Sequence, residues 1–367
     1  MRSRYSFPVH APQQTGDSEL LELFDDLGRR LPTRGVLLPT GDAYVLFVSR
    51  NRSALSRYFD FVVADPPTLE RLANKKLQYE YARSLGIPVP ETHTLDAASH
   101  IEEVADAVRF PCLIKPAYSH LWQQYRSSAG LRGLKKLAQV NSPRELIEYY
   151  HLMSESGVEL IVQEMIEGSV DQLYALYAYI GARSEPLALF VRRKLRQWPV
   201  FHGDGCYSTG AREPSVLGLG LEFLSKAGYQ GLANIEFKKD PEDGKLKLIE
   251  FNPRSASQVA LAVDSGVDIP FLAYSDIAGR PVTPVDTYRD DVKWIDFGPD
   301  VGSFLTQYKM RQLGWLEWMG SVLAARSYAY FASDDPRPAA SRTIELIKHC
   351  LTRRRRRRHE SRAPAPA

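Results

Sequence analysis

The sequence predicts a protein of the α/β class with α+β lobes. Short apolar runs with strand character alternate along the chain with amphipathic segments that have helical spacing. Near residue 240, two predicted strands carry polar side chains at every second position and apolar side chains between them. With 367 residues, 44% of them hydrophobic and 25% charged, the chain can bury two or three modest cores.

Composition argues against several other classes of protein. A net charge of +3 carries no global nucleic-acid signature. No apolar run approaches the ~18–20 residues of a membrane span, and the first residues, Met1–Tyr5, lack the apolar stretch of a signal peptide. Cys112, Cys206 and Cys350 lie far apart and indicate neither a disulfide framework nor a zinc site. We therefore expect a cytoplasmic protein; its oligomeric state is open, and a dimer is compatible with the sequence.

The first part of the chain is predicted to be a small α/β unit. Two apolar runs, Gly35–Pro39 and Phe61–Ala64, have the length and composition of short strands. An amphipathic helix follows over Asn74–Leu85 and begins with the pair Lys75 and Lys76. Basic residues at a helix start oppose the helix dipole, and a bound anion would compensate them.

A second lysine ends a predicted strand. The run Phe110–Pro116 is apolar except for Lys115, which stands just before the terminating proline. A lysine there delivers a point charge with three donors, which suits phosphate oxygens. A lysine at a sheet edge that only lays its stem along apolar surface is an equally simple interpretation.

The next segment, Leu160–Gly168, is predicted to be a buried strand that passes through a polar hinge into a glycine turn. Backbone groups at such a hinge can bind the edge of an adenine. Asp171 follows closely, and its carboxylate can accept hydrogen bonds from ribose hydroxyls. A strand followed by a capped turn would explain the same residues without a ligand.

A basic strand, Val191–Arg196, precedes the segment Phe201–Gly210, which we predict to be a loop because three glycines permit tight turns there. This loop is expected to border an acceptor pocket. Cys206 within it is not expected to be a nucleophile, because no neighbouring base is evident.

The most informative segment is a predicted hairpin formed by the strands Gly231–Lys238 and Lys245–Phe251. Side chains alternate between the faces of a strand, so Glu250 and Asn252 project the same way. Glu236 on the neighbouring strand is expected beside them. Magnesium prefers such oxygen ligands together with substrate phosphates. Polar residues on a hairpin are more often simply solvated, but the apolar residues between them indicate that the other face is buried.

Taken in order, these segments resemble the ATP-grasp superfamily, and most closely its carboxylate–amine ligase and carbamoyl-phosphate-synthase-like branch, whose closing motif is E-x-N-P-R. The motifs are NKKLQYEYARSLGIPVPET, FPCLIKPA, VQEMIEG and NIEFK followed by LIEFNPR, and they cover about residues 65 to 285. The resemblance implies two lobes that clamp ATP. It divides the chain into an abbreviated pre-grasp domain (1–88), a small nucleotide lobe (89–165), a catalytic lobe (166–285) and a helical C-terminal extension (286–367).

The resemblance also implies roles for individual residues. The positions that match the nucleotide-binding residues are Lys75 and Lys115 for phosphates, Gln163, Glu164 and Met165 for adenine, and Asp171 for ribose. The positions that match the metal ligands are Glu236, Glu250 and Asn252, with Glu250 bridging two ions. Arg254 matches an arginine beside the acyl-phosphate, and Lys194 matches a γ-phosphate contact, with Arg193 and Arg196 as alternatives.

The implied reaction uses ATP and two Mg²⁺ ions, with Mn²⁺ as an alternative metal. A small-molecule carboxylate would be activated as an acyl-phosphate and coupled to an amine. The chain departs from the family in the segment Tyr118–Gly130, where few glycines stand in place of a glycine-rich flap. The alternative function is a catalytically inactive ATP-binding module that acts as a regulator or as a scaffold at a membrane.

The last part of the chain is predicted to be mostly helical, with helices over Ser303–Leu313, Leu316–Ala325 and Thr343–Leu351. Trp294–Phe297 before them is expected to add a strand or to pack on the catalytic lobe. The final helix runs into six arginines, Arg353–Arg358. Such a block is usually solvated, but it would also attract an anionic membrane surface on the cytoplasmic side. Specific nucleic-acid binding is not expected, because no aromatic residues interleave with the arginines.

Overall fold

The computed structural model describes residues 3–9, 16–95, 101–118, 122, 136–154, 157–346 and 348. Within these residues the chain forms sheets of two, four and seven strands with helices packed on them. The predicted class of mixed helix and sheet is therefore confirmed. The block Arg353–Arg358 and most of the segment Tyr118–Gly130 lie outside the described residues.

The N-terminal part is helical with one small parallel sheet. Its elements are α1 (Asp17–Arg30), β1 (Gly35–Val36), α2 (Asp42–Arg50), α3 (Arg52–Leu55), β2 (Phe59–Asp60), α4 (Pro66–Ala73) and α5 (Lys75–Ser84). The prediction of a strand at Phe61–Ala64 was wrong, because the strand lies just before it. Side chains satisfy the carbonyl groups there instead of a ladder: the Arg52 guanidinium donates to the carbonyl oxygens of Val63 and Ala64, each at 3.0 Å.

The four-stranded sheet is antiparallel, in the order β3-β6-β4-β5. Its elements are β3 (Thr92–Leu95), α6 (Ile101–Ala107), β4 (Cys112–Pro116), β5 (Ala138–Val140), α7 (Pro143–Ser154) and β6 (Leu160–Glu164). One face packs against α6 and α7 around a separate core that includes Ile114 and Val162. Because side chains alternate, Lys115 and Gln163 lie on the opposite face.

The seven-stranded sheet has the order β11-β10-β7-β8-β9-β12-β13. Its strands are β7 (Leu173–Ile180), β8 (Pro186–Trp198), β9 (Asp204–Gly210), β10 (Gly231–Lys239), β11 (Leu246–Asn252), β12 (Lys293–Ile295) and β13 (Ser327–Tyr328). One face packs against α8 (Pro214–Lys226), and the other against α9 (Val259–Ser265) and α10 (Ile269–Ile277).

Two features of this sheet differ from the sequence prediction. Most of the predicted loop Phe201–Gly210 is strand β9, because β8 and β12 supply ladder partners on both of its sides. The sheet also continues beyond the predicted catalytic-lobe boundary at residue 285, since β12 pairs with β9 and β13. The strand expected at Trp294 is thus part of the large sheet.

The C-terminal part contains α11 (Phe297–Lys309), α12 (Trp315–Ala324) and helical residues 337–346. Helix α11 begins six residues earlier than predicted. Pro299 does not prevent this, because a proline in the first turn removes only an amide that has no partner within the helix. Among the described residues, no helix combines the length and apolar character that crossing a membrane requires.

Candidate functional site

The predicted metal ligands come together on one face of the hairpin β10–β11. Glu236 pairs with Glu250 across the two antiparallel strands, and Asn234 pairs with Asn252. Directly opposed residues share a sheet face, so these four side chains project together. Ile235 on the other face is completely buried in the core. The trio that the sequence predicted is therefore gathered by the strand register.

Asn234 is a fourth oxygen donor that the sequence analysis did not name. Its side chain is buried, and its Oδ1 has no hydrogen-bond partner within the described part of the chain. The two-residue spacing from Glu236 in the motif NIEFK is the signal that would have revealed it. A buried amide oxygen without a partner costs free energy unless a ligand satisfies it.

The donor set fits Mg²⁺. Glu236, Glu250, Asn234 and Asn252 offer only oxygen ligands, and magnesium is commonly held by one or two carboxylates together with substrate phosphates. No group of three or more His, Cys, Asp and Glu side chains suited to a metal ion occurs among the residues that the structure describes. A site that the protein completes on its own, with carboxylates alone, is therefore not the arrangement found here.

Lys75 forms an ion pair with Glu250 across the cleft. The lysine is placed by the start of α5, where the Asn74 side chain caps the helix and the Lys75 amide donates to the Ala117 carbonyl oxygen at 2.9 Å. Burial alone would raise the pKa of Glu250, but the positive charges of Lys75, Lys136 and Lys115 lower it to about 2. This carboxylate is therefore ionised at every pH near neutrality.

Lys115 is buried on the facing surface of the small sheet. Its Nζ donates to Gln163 Oε1 at 2.7 Å and to the Tyr79 hydroxyl at 3.0 Å. Tyr79 in turn donates to the carbonyl oxygen of Ile249 in the hairpin. Burial, and secondarily the charge of Lys75, lower the pKa of Lys115. These contacts join the small sheet to the strand that carries Glu250.

Strand β8 contributes two further cations. Arg192 Nη2 lies 3.2 Å from Glu236 Oε1, and Lys194 Nζ lies 3.8 Å from Glu236 Oε2. Burial, and secondarily the charge of Arg192, lower the pKa of Lys194. Arg192 was not among the site residues predicted from the sequence, although it lies two residues from Lys194. A Cβ at Gly205 would lie 2.8 Å from Arg192 Nη1, so glycine makes room for this guanidinium.

Arg193 and Arg196, the two alternatives to Lys194, pair with other carboxylates. Arg193 donates to the Asp171 carboxylate at 2.6 Å and to its carbonyl oxygen at 2.7 Å. Arg196 forms a bidentate ion pair with the buried carboxylate of Asp300: its Nε donates to Oδ1 at 2.7 Å and its Nη2 donates to Oδ2 at 2.9 Å. Of the three side chains, Lys194 is the one whose Nζ lies beside Glu236.

The predicted hinge residues have different surroundings. The Glu164 carboxylate accepts from Lys247 Nζ at 3.1 and 3.2 Å and from the Glu91 amide at 3.0 Å. Met165 is half-buried and lines a small groove with Phe110. The carboxylates of Glu164 and Asp171 are thus paired with cations of the protein, and the roles proposed for them toward adenine and ribose stay predictions.

Arg254 links the hairpin to the N-terminal part of the chain. Its Nε donates to Asp42 Oδ1 at 2.7 Å, and its Nη2 donates to Asn252 Oδ1 at 3.2 Å. Asp42 stands in the first turn of α2. Burial lowers the pKa of Lys75, but the negative charge of Glu250, and more weakly that of Asp42, raises it above its ordinary value. Asp42 is therefore a site residue that the sequence analysis missed.

The four-stranded and seven-stranded sheets face one another across a cleft lined by lysines and opposed carboxylates. This arrangement is the ATP-grasp fold. The fold is confirmed by solved structures, among them the biotin carboxylase domain of Hydrogenobacter thermophilus 2-oxoglutarate carboxylase in complex with MgADP. That structure has a TM-score of 0.57 and 16% identity, covering 76% of this chain and 60% of the other.

The curated relatives agree with the resemblance found in the sequence. The chain is 28% identical over 255 residues to the D-aspartate ligase of Enterococcus faecium, covering 67% of this chain and 59% of that protein. It is 25% identical over 234 residues to the C-terminal section of the carbamoyl phosphate synthase large chain of Methanopyrus kandleri, covering 60% and 40%. The chain thus spans less than two thirds of these relatives. No protein-family model matches it.

The ion pair between Lys75 and Glu250 predicts an acid-dependent loss of stability. The folded-state pKa of Glu250, about 2, is below its ordinary value of 4.5, so the pair stabilises the fold fully above pH 4.5 and loses its contribution as the pH falls toward 2. The free energies of unfolding of the wild type and Glu250→Gln, measured with denaturant, should differ most at pH 6. The difference should shrink at pH 3 by about 1–2 kcal/mol, allowing for solvent screening. A difference that stays constant with pH would contradict this assignment.

Proposed function

We propose that the protein is an ATP-dependent, magnesium-dependent ligase that activates a carboxylate as an acyl-phosphate and couples it to an amine. The observation that carries this proposal is the register of β10 and β11, which opposes Glu236 to Glu250 on a face also occupied by Arg192 and Lys194. Cations and carboxylates that alternate in a cleft are the arrangement that binding of metal and triphosphate requires.

The metal would be held by the oxygens of Glu236, Glu250 and Asn252, with Asn234 as a fourth donor. Two Mg²⁺ ions are proposed, with Glu250 between them, and Mn²⁺ is the alternative. When bound, the metal would neutralise charge on the phosphate oxygens of ATP. The structure of the biotin carboxylase domain, which has the same fold, contains MgADP, and this supports the choice of cofactor.

The protein's own residues would bind and orient the reactants. Lys75, Lys115 and Lys194 would contact the phosphates, and Arg254 would hold the acyl-phosphate. The hinge residues Gln163, Glu164 and Met165 would frame the adenine, and Asp171 the ribose. Positioning and fixed charge dominate such chemistry, because phosphoryl transfer needs little covalent participation by the protein.

The proposed reaction balances in two steps. A carboxylate oxygen of the substrate forms a bond to the γ-phosphorus as the bond from that phosphorus to the ADP oxygen breaks. The amine nitrogen then forms a bond to the acyl carbon, phosphate leaves, and the nitrogen loses a proton to solvent. Exclusion of water from the cleft would protect the acyl-phosphate from hydrolysis.

The relatives narrow the proposed substrates to small molecules. The similar protein of Enterococcus faecium is a D-aspartate ligase, and an amino acid is therefore the first substrate class to try as either reactant. The alternative of a catalytically inactive module is not favoured, because Lys75, Lys115, Glu236 and Glu250 are all present and surround one cleft. The domain boundaries at residues 88 and 165 are retained as part of the proposal, whereas the boundary at residue 285 is not, because the large sheet continues into β12 and β13.

The experiment that tests the function is a screen for ADP release with paired pools of carboxylates and amines, each pool also supplied alone. Release that requires ATP, Mg²⁺, a carboxylate and an amine, with a product whose mass equals the two substrates less one water, would support the ligase. Release that is independent of both pools, or ATP binding without any release, would contradict it.

Lys115→Met should weaken ATP binding by about tenfold or more, since it removes a buried cation that we propose contacts the phosphates. Isothermal titration with a non-hydrolysable ATP analogue measures this directly. The matched control is Lys226→Met, whose exposed ammonium pairs with Glu222 one helical turn away and should leave the affinity unchanged. An unaltered dissociation constant for Lys115→Met would remove this lysine from the site.

A further inference from the structure

The carboxylate of Asp42 has accepting capacity that the protein does not use. Its Oδ1 accepts a hydrogen bond from Arg254 Nε at 2.7 Å, and the side chain is 18% exposed. Within the part of the chain that the structure describes, its Oδ2 has no hydrogen-bond partner. An ionised carboxylate accepts roughly four hydrogen bonds, so Asp42 can bind a further donor.

The position of Asp42 is fixed by helix α2. Asp42 is the first residue of this helix, directly after its N-cap Gly41. Further along the helix, Phe47 is buried in the main core, and the Ser49 hydroxyl donates to the Ala64 carbonyl oxygen at 2.7 Å. The carboxylate is therefore presented by an element that is packed in the core, which suits a group that must orient a ligand.

Asp42 lies beside the guanidinium that we propose holds the acyl-phosphate. Arg254 is also bound from two other sides, because its Nη2 donates to Asn252 Oδ1 at 3.2 Å and its Nη1 donates to the Ser255 carbonyl oxygen at 3.3 Å. The Ser255 hydroxyl oxygen is buried and has no partner among the described residues. Polar groups on both sides of Arg254 thus have unused hydrogen-bonding capacity, which a polar ligand would satisfy.

The charge of Asp42 is unusual for this part of the cleft. Burial lowers the pKa of Lys136, and the negative charges of Glu250 and, more weakly, Asp42 oppose this shift, so Asp42 lies close to cations of the site. A carboxylate repels phosphate oxygens and therefore does not assist the binding of ATP. Asp42 is also not on the hairpin face that gathers the proposed metal ligands. A positively charged group of a substrate is the partner that remains.

We propose that Asp42 binds the protonated amino group of the amine substrate and orients its nitrogen toward the acyl carbon of the intermediate. This inference rests on the proposed function, since it assigns a residue to the second of its two steps. The substrate class is a primary amine that is protonated at neutral pH, as the amino group of an amino acid is. The negative acyl-phosphate offsets the charge of Arg254, so the site favours this cation after the first step.

The bound ammonium group becomes a nucleophile by losing one proton to solvent, while another of its N–H groups stays hydrogen-bonded to Asp42. The nitrogen lone pair then forms the bond to the acyl carbon. The bond from that carbon to the phosphate oxygen breaks, and its electron pair goes to the phosphate. A second proton passes from the nitrogen to the phosphate, which leaves as hydrogen phosphate. Asp42 orients the amine and is itself unchanged.

A simpler role for Asp42 would be to orient Arg254 alone. In that case, removing the charge of Asp42 would impair formation of the acyl-phosphate and every later step equally. A role toward the amine would instead impair coupling to charged amines and largely spare the reaction with an uncharged nucleophile. Hydroxylamine is such a nucleophile, because it is mostly unprotonated above neutral pH and captures acyl-phosphates as hydroxamates.

The test compares Asp42→Asn with the wild type at slightly alkaline pH, in the presence of ATP, Mg²⁺ and the carboxylate pool of the screen. The nucleophile is either hydroxylamine or a pool of amino acids, and ADP, hydroxamate and coupled product are measured. Asparagine keeps an oxygen that accepts from Arg254 but loses the negative charge. Coupling to subsaturating amino acids should fall about tenfold or more, whereas hydroxamate formation should change less than about threefold.

The matched control is Asp26→Asn, in which an exposed aspartate that pairs with Arg30 on α1 loses its charge, and both reactions should proceed as in the wild type. Wild-type-like thermal unfolding of Asp42→Asn verifies that the fold is retained. Asp42→Glu keeps the charge and should couple amino acids better than Asp42→Asn does.

The inference is overturned if Asp42→Asn couples amino acids as well as the wild type, or if it loses hydroxamate formation to the same degree as coupling, since Asp42 would then act through Arg254. Wild-type protein that forms hydroxamate but couples no amino acid would also overturn it. Absence of ADP release from the wild type with either nucleophile would contradict the proposed function itself, and this inference with it.

Discussion

Glu250→Gln is expected to lower the rate of ATP-dependent ADP release by about 100-fold or more, which corresponds to about 3 kcal/mol of transition-state stabilisation. Glutamine keeps the shape of the side chain but loses the negative charge that pairs with Lys75 and that would hold the metal beside Glu236. The measurement is a coupled assay of ADP release with the substrate pair that the screen identifies, at a series of Mg²⁺ concentrations. Raising Mg²⁺ should recover part of the lost rate.

The matched control is Glu222→Gln, in which an exposed glutamate that pairs with Lys226 on α8 loses its charge. It should keep wild-type activity. Circular dichroism and thermal unfolding of Glu250→Gln distinguish loss of chemistry from loss of fold, since the variant also leaves Lys75 without its carboxylate partner. Undiminished turnover in a folded Glu250→Gln would remove the metal-ligand assignment and, with it, the mechanism.

Arg196→Met is expected to reduce the free energy of unfolding by about 3–5 kcal/mol, because it leaves a carboxylate buried without its cation. Asp300 is completely buried, and its carboxylate accepts hydrogen bonds from Nε and Nη2 of Arg196 and from Nε1 of Trp318. Denaturant unfolding followed by tryptophan fluorescence measures the loss. Arg196→Met/Asp300→Leu should recover much of it, since removing both charges leaves no unpaired ion.

Lys194→Met is the comparison that separates stability from function on this strand. Lys194 is two residues away and faces Glu236, so its replacement should weaken ATP binding with a smaller effect on unfolding. If Arg196→Met unfolded like the wild type yet lost ATP binding, Arg196 would be the phosphate contact and Lys194 would not.

The local alternation of side chains was enough to predict the hairpin. The strand predicted at Gly231–Lys238 is observed at Gly231–Lys239, and the side chains of Glu236, Glu250 and Asn252 share a face as expected. Within a strand, the face of each residue depends only on its position, so the sequence carries this information directly. The same rule would have identified Asn234.

The loop predicted at Phe201–Gly210 shows the limit of local rules. Its glycines and polar residues favour a turn when they are considered alone. In the structure, Asp204–Gly210 is a strand because β8 and β12 bind it from both sides. β12 lies more than 80 residues further along the chain, so the sequence around residues 201–210 does not indicate this strand partner.

The sequence by itself determined which residue types were available: acidic and amide side chains at alternate positions of a hairpin, lysines at a strand end and a helix start, and six arginines near the C-terminus. The tertiary structure decided which of the charges meet. Arg193, Lys194 and Arg196 are near neighbours in sequence, yet they contact Asp171, Glu236 and Asp300 respectively. Asp42 reaches Arg254 across 212 positions of sequence. Such pairings follow from the packing of whole sheets and helices, which determines which charges lie close together. A buried charge without a partner would raise the free energy of the folded state, so the charges brought together in the interior are paired.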